Sequence, residues 1–123
     1  MHALAYPVGG IFHIPHGLSN ALVLPAVLRF NLPAAGATYA EIAADAFPQL
    51  ADIPEDSRAE AFVDALQTLI GRLQMPPRLR DVNIPQDALP RMAADAMKQQ
   101  RLLVNNPRSV TEADALAIYT EAW

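Results

Sequence analysis

Three histidines, His2, His13 and His16, fall within the first sixteen residues and are the only ones in the chain. They are the side chains here that titrate near neutrality or offer an imidazole nitrogen to a transition metal. No cysteine is present, which excludes disulfides and thiolate metal sites and permits a reducing compartment. Fourteen residues separate His2 from His16, about four helical turns, but Pro7, Gly9, Gly10 and Pro15 forbid an unbroken helix between them. A helix, a loop and a second helix could fold the two imidazoles back to one point. Spacing alone leaves two readings, a shared metal ion or ordinary hydrogen-bonded histidines. His13 is read as hydrogen-bonded or exposed, the other reading being a place on a substrate cleft. The pair Gly9-Gly10 lacks a Gly-x-Gly-x-x-Gly or P-loop context and is read as a tight turn or a close backbone contact.

The elements that must position these groups are helical. Leu18 to Phe30 is almost wholly apolar and predicts a helix buried on all sides, bent at Pro25 and ended by Asn31-Leu32-Pro33. Tyr39, Ile42, Ala43, Ala46 and Phe47 recur at helical spacing opposite Glu41 and Asp45, and Pro48 closes that segment. From Glu55 to Leu73 an apolar stripe of Ala59, Phe62, Val63, Leu66, Leu69, Ile70 and Leu73 is read as core, with Arg58, Glu60, Asp64, Gln67 and Arg72 facing away. After a turn at Asp81-Val82-Asn83, a helix from Gln86 to Leu103 turns Leu89, Met92, Ala93 and Ala96 inward, and Asn105-Asn106-Pro107 ends it. Thr111 and Asp114 form a variant capping box that opens a last helix, Glu112 to Ala122. Arg80, Asp81, Arg101 and Arg108 are read as solvated or helix-end charges. No run of alternating β-branched residues competes, so residues 1–123 are read as a single all-α domain, a helical bundle without repeats or linkers.

Composition narrows the function. A chain of 123 residues can bury roughly two-thirds of its unfolded surface. A formal net charge of −4 offers nucleic acid no basic surface. The longest uncharged stretch, Met1 to Leu28, is broken by histidines, prolines and glycines and lacks a basic leader, so it reads as buried protein and not as a membrane span.

Taken as a block, His2-Ala3-Leu4-Ala5, Pro7-x-Gly9, Pro15-His16-Gly17, Asn20-Ala21, Leu24-Pro25 and Phe30-Asn31 resemble the signature of the iron-containing (metal-dependent, group III) alcohol dehydrogenases. Further on, Leu79-Arg80-Asp81-Val82-Asn83-Ile84 before a helix, then Asn106-Pro107-Arg108 and a short final helix, look like that family's carboxy-terminal region. The likeness covers essentially the whole chain. It implies the all-helical, dehydroquinate synthase-like metal-binding part of a two-part enzyme. NAD or NADP would sit in an amino-terminal α/β part, and an alcohol or aldehyde in the cleft between the two.

In that family four protein ligands hold a divalent metal, Fe2+ or Zn2+: an aspartate and a histidine upstream, then two histidines matching His2 and His16. The nucleotide-binding part and the first two ligands are not in this chain, so Met1 reads as a truncated start. Tyr6 stands where many members carry a histidine close to the nicotinamide, proposed for proton relay. A tyrosine keeps a hydroxyl but, with an ordinary pKa near 10, is a poorer base at neutral pH; its ring packed in the cleft wall is the other reading. Asn83 stands where glycine is usual and tolerates the left-handed conformation.

The resemblance therefore predicts a cytoplasmic oxidoreductase portion without catalysis of its own. The alternative is a truncated, non-catalytic helical or interaction module. Cutting the family architecture at Met1 is further expected to expose Leu4, Tyr6, Val8, Ile11 and Phe12, and to drive homo-oligomerisation through residues 3–12.

Overall fold

The placement of proline and glycine explains much of the architecture, which a computed structural model describes for all 123 residues. Six helices follow in order: α1 (His2–Phe12), α2 (His16–Ala46), α3 (Glu55–Arg72), α4 (Leu89–Ala96), α5 (Gln100–Leu103) and α6 (Glu112–Ala122). Short 3-10 turns at Pro48–Leu50, Leu79–Val82 and Gln86–Ala88 join them, and no strand is present. The fold is all-α, as expected.

The reversal that brings α1 against α2 takes three residues. His13 ends α1 in the left-handed region at φ 57°, and Pro15 leads extended into α2 at φ −53°, ψ 139°. Gly9 and Gly10 lie inside α1, so the tight-turn reading is wrong and the close-contact reading holds for Gly9. A Cβ there would stand 3.2 Å from the Ile14 carbonyl oxygen and 3.6 Å from Ser19 Oγ. Ser19 is fully buried, and its hydroxyl lies 3.1 Å from both the Ile14 and the Pro15 carbonyl oxygens. The Pro15 carbonyl already accepts from the Ser19 backbone N–H, so the hydroxyl serves chiefly the Ile14 carbonyl of the turn.

The largest departure from the sequence reading is α2. Asn31-Leu32-Pro33 does not end it; one helix of 31 residues runs through both Pro25 and Pro33. Each proline removes one backbone donor, yet packing against α1 and α6 on one half and α3 on the other holds the helix together. The same packing accounts for its apolar composition, which by length and hydropathy alone would suit a membrane span. The helix expected from Gln86 to Leu103 departs the other way. It divides into a 3-10 turn, α4 and α5, with Met97–Gln99 between them outside the helices. Leu89, Met92, Ala93 and Ala96 are nevertheless all buried.

Two apolar clusters result. The larger joins α1, the first half of α2, α4 and α6 with Leu79 and Ile84. The smaller consists of Ala43, Leu50 and Phe62, with Tyr39, Phe47 and Leu66 around it. α3 packs on α2 and the 3-10 turn before it, so the far end of its stripe stays open: Leu69 is 41% and Leu73 62% exposed, against the expectation of core. Ile42 on the facing part of α2 is exposed as well.

The expected exposure along residues 3–12 is also corrected. Leu4 and Val8 are buried at 2% and 0% exposure because α2 and α4 pack on α1 and Tyr119 of α6 reaches the Leu4 carbonyl. Ile11 and Phe12 are half-buried, and of the five only Tyr6 is exposed. The apolar surface expected to drive association is thus mostly inside the chain.

At the carboxy-terminal end, α6 begins with the predicted capping box. The Asp114 backbone N–H donates to Thr111 Oγ1, while the Thr111 backbone N–H and hydroxyl both donate to the Asp114 carboxylate. Those bonds from Thr111, the backbone one first, hold the Asp114 carboxyl below its ordinary range. The bonds favour the ionised form, so their contribution is present above the unfolded carboxyl pKa and is lost as pH falls through the folded one. Thr111→Ala should lower stability by about 1 kcal/mol, read by urea unfolding at neutral pH, and the deficit should shrink in acid. Asn83 takes the left-handed conformation at φ 61°, as its residue type allows. Arg80 is more than a solvated charge: its guanidinium lies 5.5 Å from the Trp123 ring centroid, and the Trp123 indole N–H donates to the Ile84 carbonyl.

Candidate metal centre

His2 and His16 are the first residues of α1 and α2; after α1 the chain doubles back along it, with the Ile14 carbonyl and Ser19 hydroxyl passing close to Gly9, and this carries His16 back to Tyr6 and His2. Their ring centroids are 5.3 Å apart with the planes inclined at 43°, and both side chains are exposed. Tyr6, one turn along α1 from His2, places its ring 6.0 Å from that of His16. Sequence-predicted residues His2, His16 and Tyr6 therefore form one group. His13 stands exposed on the connection, outside it.

Asn20, one turn along α2 from His16, also belongs to the group. Its Nδ2 lies 3.0 Å from His16 Nε2 and 3.0 Å from the His16 carbonyl oxygen. Sequence reasoning placed Asn20 in a motif without giving it a task. The signal available was its separation from His16, an i, i+4 pair that shares a helix face.

A cavity of about 240 Å³ opens beside His2, lined by Met1, His2, Leu102, Asn105 and Asn106. Asn106 in turn is fixed from behind. Its side chain and that of buried Asn31 exchange two amide hydrogen bonds, 2.9 and 2.8 Å long. The Arg108 guanidinium donates to the Phe30 carbonyl at 2.8 Å and lies 4.1 Å from the Phe30 ring centroid. Arg108, exposed as expected, is thus more than a solvated charge. Phe30-Asn31 and Asn106-Pro107-Arg108, two fragments distant in sequence, are one clamp behind the cavity wall. A larger groove of about 350 Å³ runs between α2 and α3, lined by Leu32, Gly36, Ala37, Ala40, Glu55, Asp56, Ala59 and Glu60. No histidine lines it, and the imidazole chemistry lies elsewhere.

Two exposed imidazoles at one point are suitable donors for iron(II) or zinc. No third His, Cys, Asp or Glu of this chain joins them in a metal-sized group. The residues present therefore fit a divalent metal as part of a donor set that other groups must complete.

Comparison with known proteins identifies the family. The family model described as "Fe-containing alcohol dehydrogenase family, C-terminal" matches residues 1–123. The long-chain-alcohol dehydrogenase 1 of Geobacillus thermodenitrificans is 36% identical over 123 residues, covering 100% of this chain and 31% of that protein. The lactaldehyde reductase of Escherichia coli is 32% identical, again over 100% of this chain and 32% of its own length. Among solved structures, that of a 1,3-propanediol oxidoreductase superposes with a TM-score of 0.91 at 33% identity, covering 99% of this chain and 32% of the other. The chain thus spans about a third of the length of the relatives it matches. Sequence and fold lead to one conclusion: the chain belongs to the Fe-containing alcohol dehydrogenase family, as its carboxy-terminal, all-helical region.

Proposed function

We propose that this chain is the metal-binding portion of an iron-dependent alcohol dehydrogenase that moves hydride between an alcohol or aldehyde and NAD or NADP. The observation that carries the reading is the convergence of the His2 and His16 rings at 5.3 Å from the starts of two helices. In this reading the two imidazoles supply two ligands to Fe2+, or to Zn2+, and groups upstream supply the rest. The bound metal would polarise the substrate oxygen and stabilise negative charge developing there. The residues of this chain fix the geometry: α1 and α2 hold the imidazoles, and the Asn31–Asn106 clamp holds the cavity wall beside His2. Tyr6, exposed next to His16, would face the nicotinamide side of the cleft and offer a hydroxyl there. The names of the relatives supply the substrate class, an alcohol or aldehyde.

Calorimetric titration with zinc or iron(II) tests the ligand assignment. With two imidazoles the chain should bind weakly, since a stable site takes three or four protein ligands. His2→Ala or His16→Ala should abolish that binding and His13→Ala should leave it intact. Tight binding that survives loss of both His2 and His16 would refute the assignment. Purified alone, the chain should show no alcohol-dependent NAD(P) reduction, because holding the hydride acceptor in place supplies much of the rate. Joined to the upstream region of a relative it should gain that activity. Silence of the joined protein would favour a non-catalytic helical module instead.

A further inference from the structure

We propose that Asn20 is a positioning residue: its amide holds the metal-free His16 ring in the tautomer with the proton on Nδ1 and an unprotonated Nε2 that accepts from Asn20. The inference builds on the proposed metal site, but the tautomer itself is a property of the chain without metal. It rests on three atoms. Asn20 Nδ2 is 3.0 Å from the His16 carbonyl oxygen and 3.0 Å from His16 Nε2. Asn20 Oδ1 is buried and has no partner.

An unmade hydrogen bond at a buried oxygen is costly and calls for a reason. Turning the amide over does not relieve it. Oδ1 would then face the His16 carbonyl oxygen at about the distance Nδ2 now occupies, an acceptor against an acceptor, and the NH2 group would be buried with its donors unpaired. The amide orientation is therefore fixed by the backbone carbonyl. With one N–H committed to that carbonyl, the second points at Nε2, which can only accept. A neutral imidazole accepts at one nitrogen and carries its proton on the other, so Nδ1 holds the proton.

The consequence concerns how a cation arrives. The Asn20 N–H places a partial positive charge at the lone pair that a metal would take. A divalent cation reaching Nε2 replaces that N–H without first removing a proton from the same nitrogen, and Asn20 keeps its bond to the His16 carbonyl. The ring is prepared as a ligand before the metal binds; outer partners of ligating histidines commonly do this from the other ring nitrogen, whereas Asn20 does it from the nitrogen the metal would take.

Nitrogen NMR of the histidine rings in the metal-free chain, above the pH at which imidazole is protonated, tests this. His16 should show a bare Nε2 and a protonated Nδ1. Asn20→Ala should let the proton pass to Nε2. Asn20→Asp, close in shape and with a carboxylate that only accepts, should draw the proton to Nε2 as well, and it decides the matter if the alanine variant fails to fold. A protonated Nε2 in the unsubstituted chain, or a proton that stays on Nδ1 in a folded variant, overturns the proposal. Adding zinc to the unsubstituted chain should shift the His16 Nε2 and Asn20 side-chain amide signals together. A bare Nε2 with both signals unmoved by zinc still supports the tautomer assignment and refutes the ligand assignment, so the two readings fail separately.

Discussion

Replacing Tyr119 by alanine is expected to cost the fold about 3–5 kcal/mol, the range for removing a large aromatic from a core. The residue is fully buried in α6, and its hydroxyl donates to the Leu4 carbonyl on α1 at 2.6 Å. Truncation would leave a cavity and remove the bond to the Leu4 carbonyl at the same place. The loss should fall on the seating of α1, and therefore on the position of His2. Chemical denaturation should show a lowered midpoint, and hydrogen exchange should rise in residues 2–12. Tyr119→Phe keeps the ring and isolates the hydrogen bond; it should cost about 1–3 kcal/mol. The phenol also sets an alkaline limit. Burial pushes its pKa well above the ordinary value, with the nearby Asp95 charge acting in the same direction. The folded chain then keeps the proton while the unfolded chain loses it above a pH of about 10. Stability is full below that pH and falls as pH rises through it. Tyr119→Phe should flatten this part of the pH profile. A profile unchanged by the substitution would contradict the assignment.

Phe62→Ala is expected to remove about 3 kcal/mol, and to do so locally. Phe62 is 7% exposed at the centre of the smaller cluster, with the Tyr39 and Phe47 ring centroids 6.0 and 5.9 Å away. Ala43 and Leu50 share its burial in that cluster, and Val63 of α3 and Ala40 of α2 are buried nearby, but Phe62 is the one large buried side chain joining the far half of α2 to α3. The surface bonds from Arg29 to Asp64 and Gln67 add modestly at best. Exchange should accelerate across residues 39–66, while residues 2–27, which belong to the larger cluster, keep their protection. Equal loss of protection in both regions would show that the two clusters unfold as one.

The helix boundaries that the sequence made legible are those set by local chemistry. Glu55 and Arg72 bracket α3, and Thr111 with Asp114 opens α6, because an acidic first turn and a capping box act on neighbouring residues. The errors came from packing between distant segments. Nothing near Asn31 in the chain shows that its side chain pairs with Asn106, 75 residues away, or that α2 continues past Pro33. Leu69 and Leu73 follow the helical period faithfully but have no facing helix, so the pattern exceeded the core available. For the candidate site, the residue types and the resemblance singled out His2, His16 and Tyr6, and the structure brings all three rings together. Asn20 stood in the motif without a task because that task depends on the direction of one amide, which spacing does not encode.

The length of α2 has a mechanical consequence. At ~1.5 Å per residue its 31 residues form a rod of about 46 Å. The clamp at Asn31 divides the rod into equal arms, with His16 at one tip and Ala46 at the other, each 15 residues from the fulcrum. A stiff lever of that shape would pass any push on the far tip straight to the imidazole. Pro33 lies just beyond the fulcrum on the far arm and Pro25 on the histidine arm, and at each a missing hydrogen bond softens the rod. A push on the far tip meets both soft points before it reaches the imidazole.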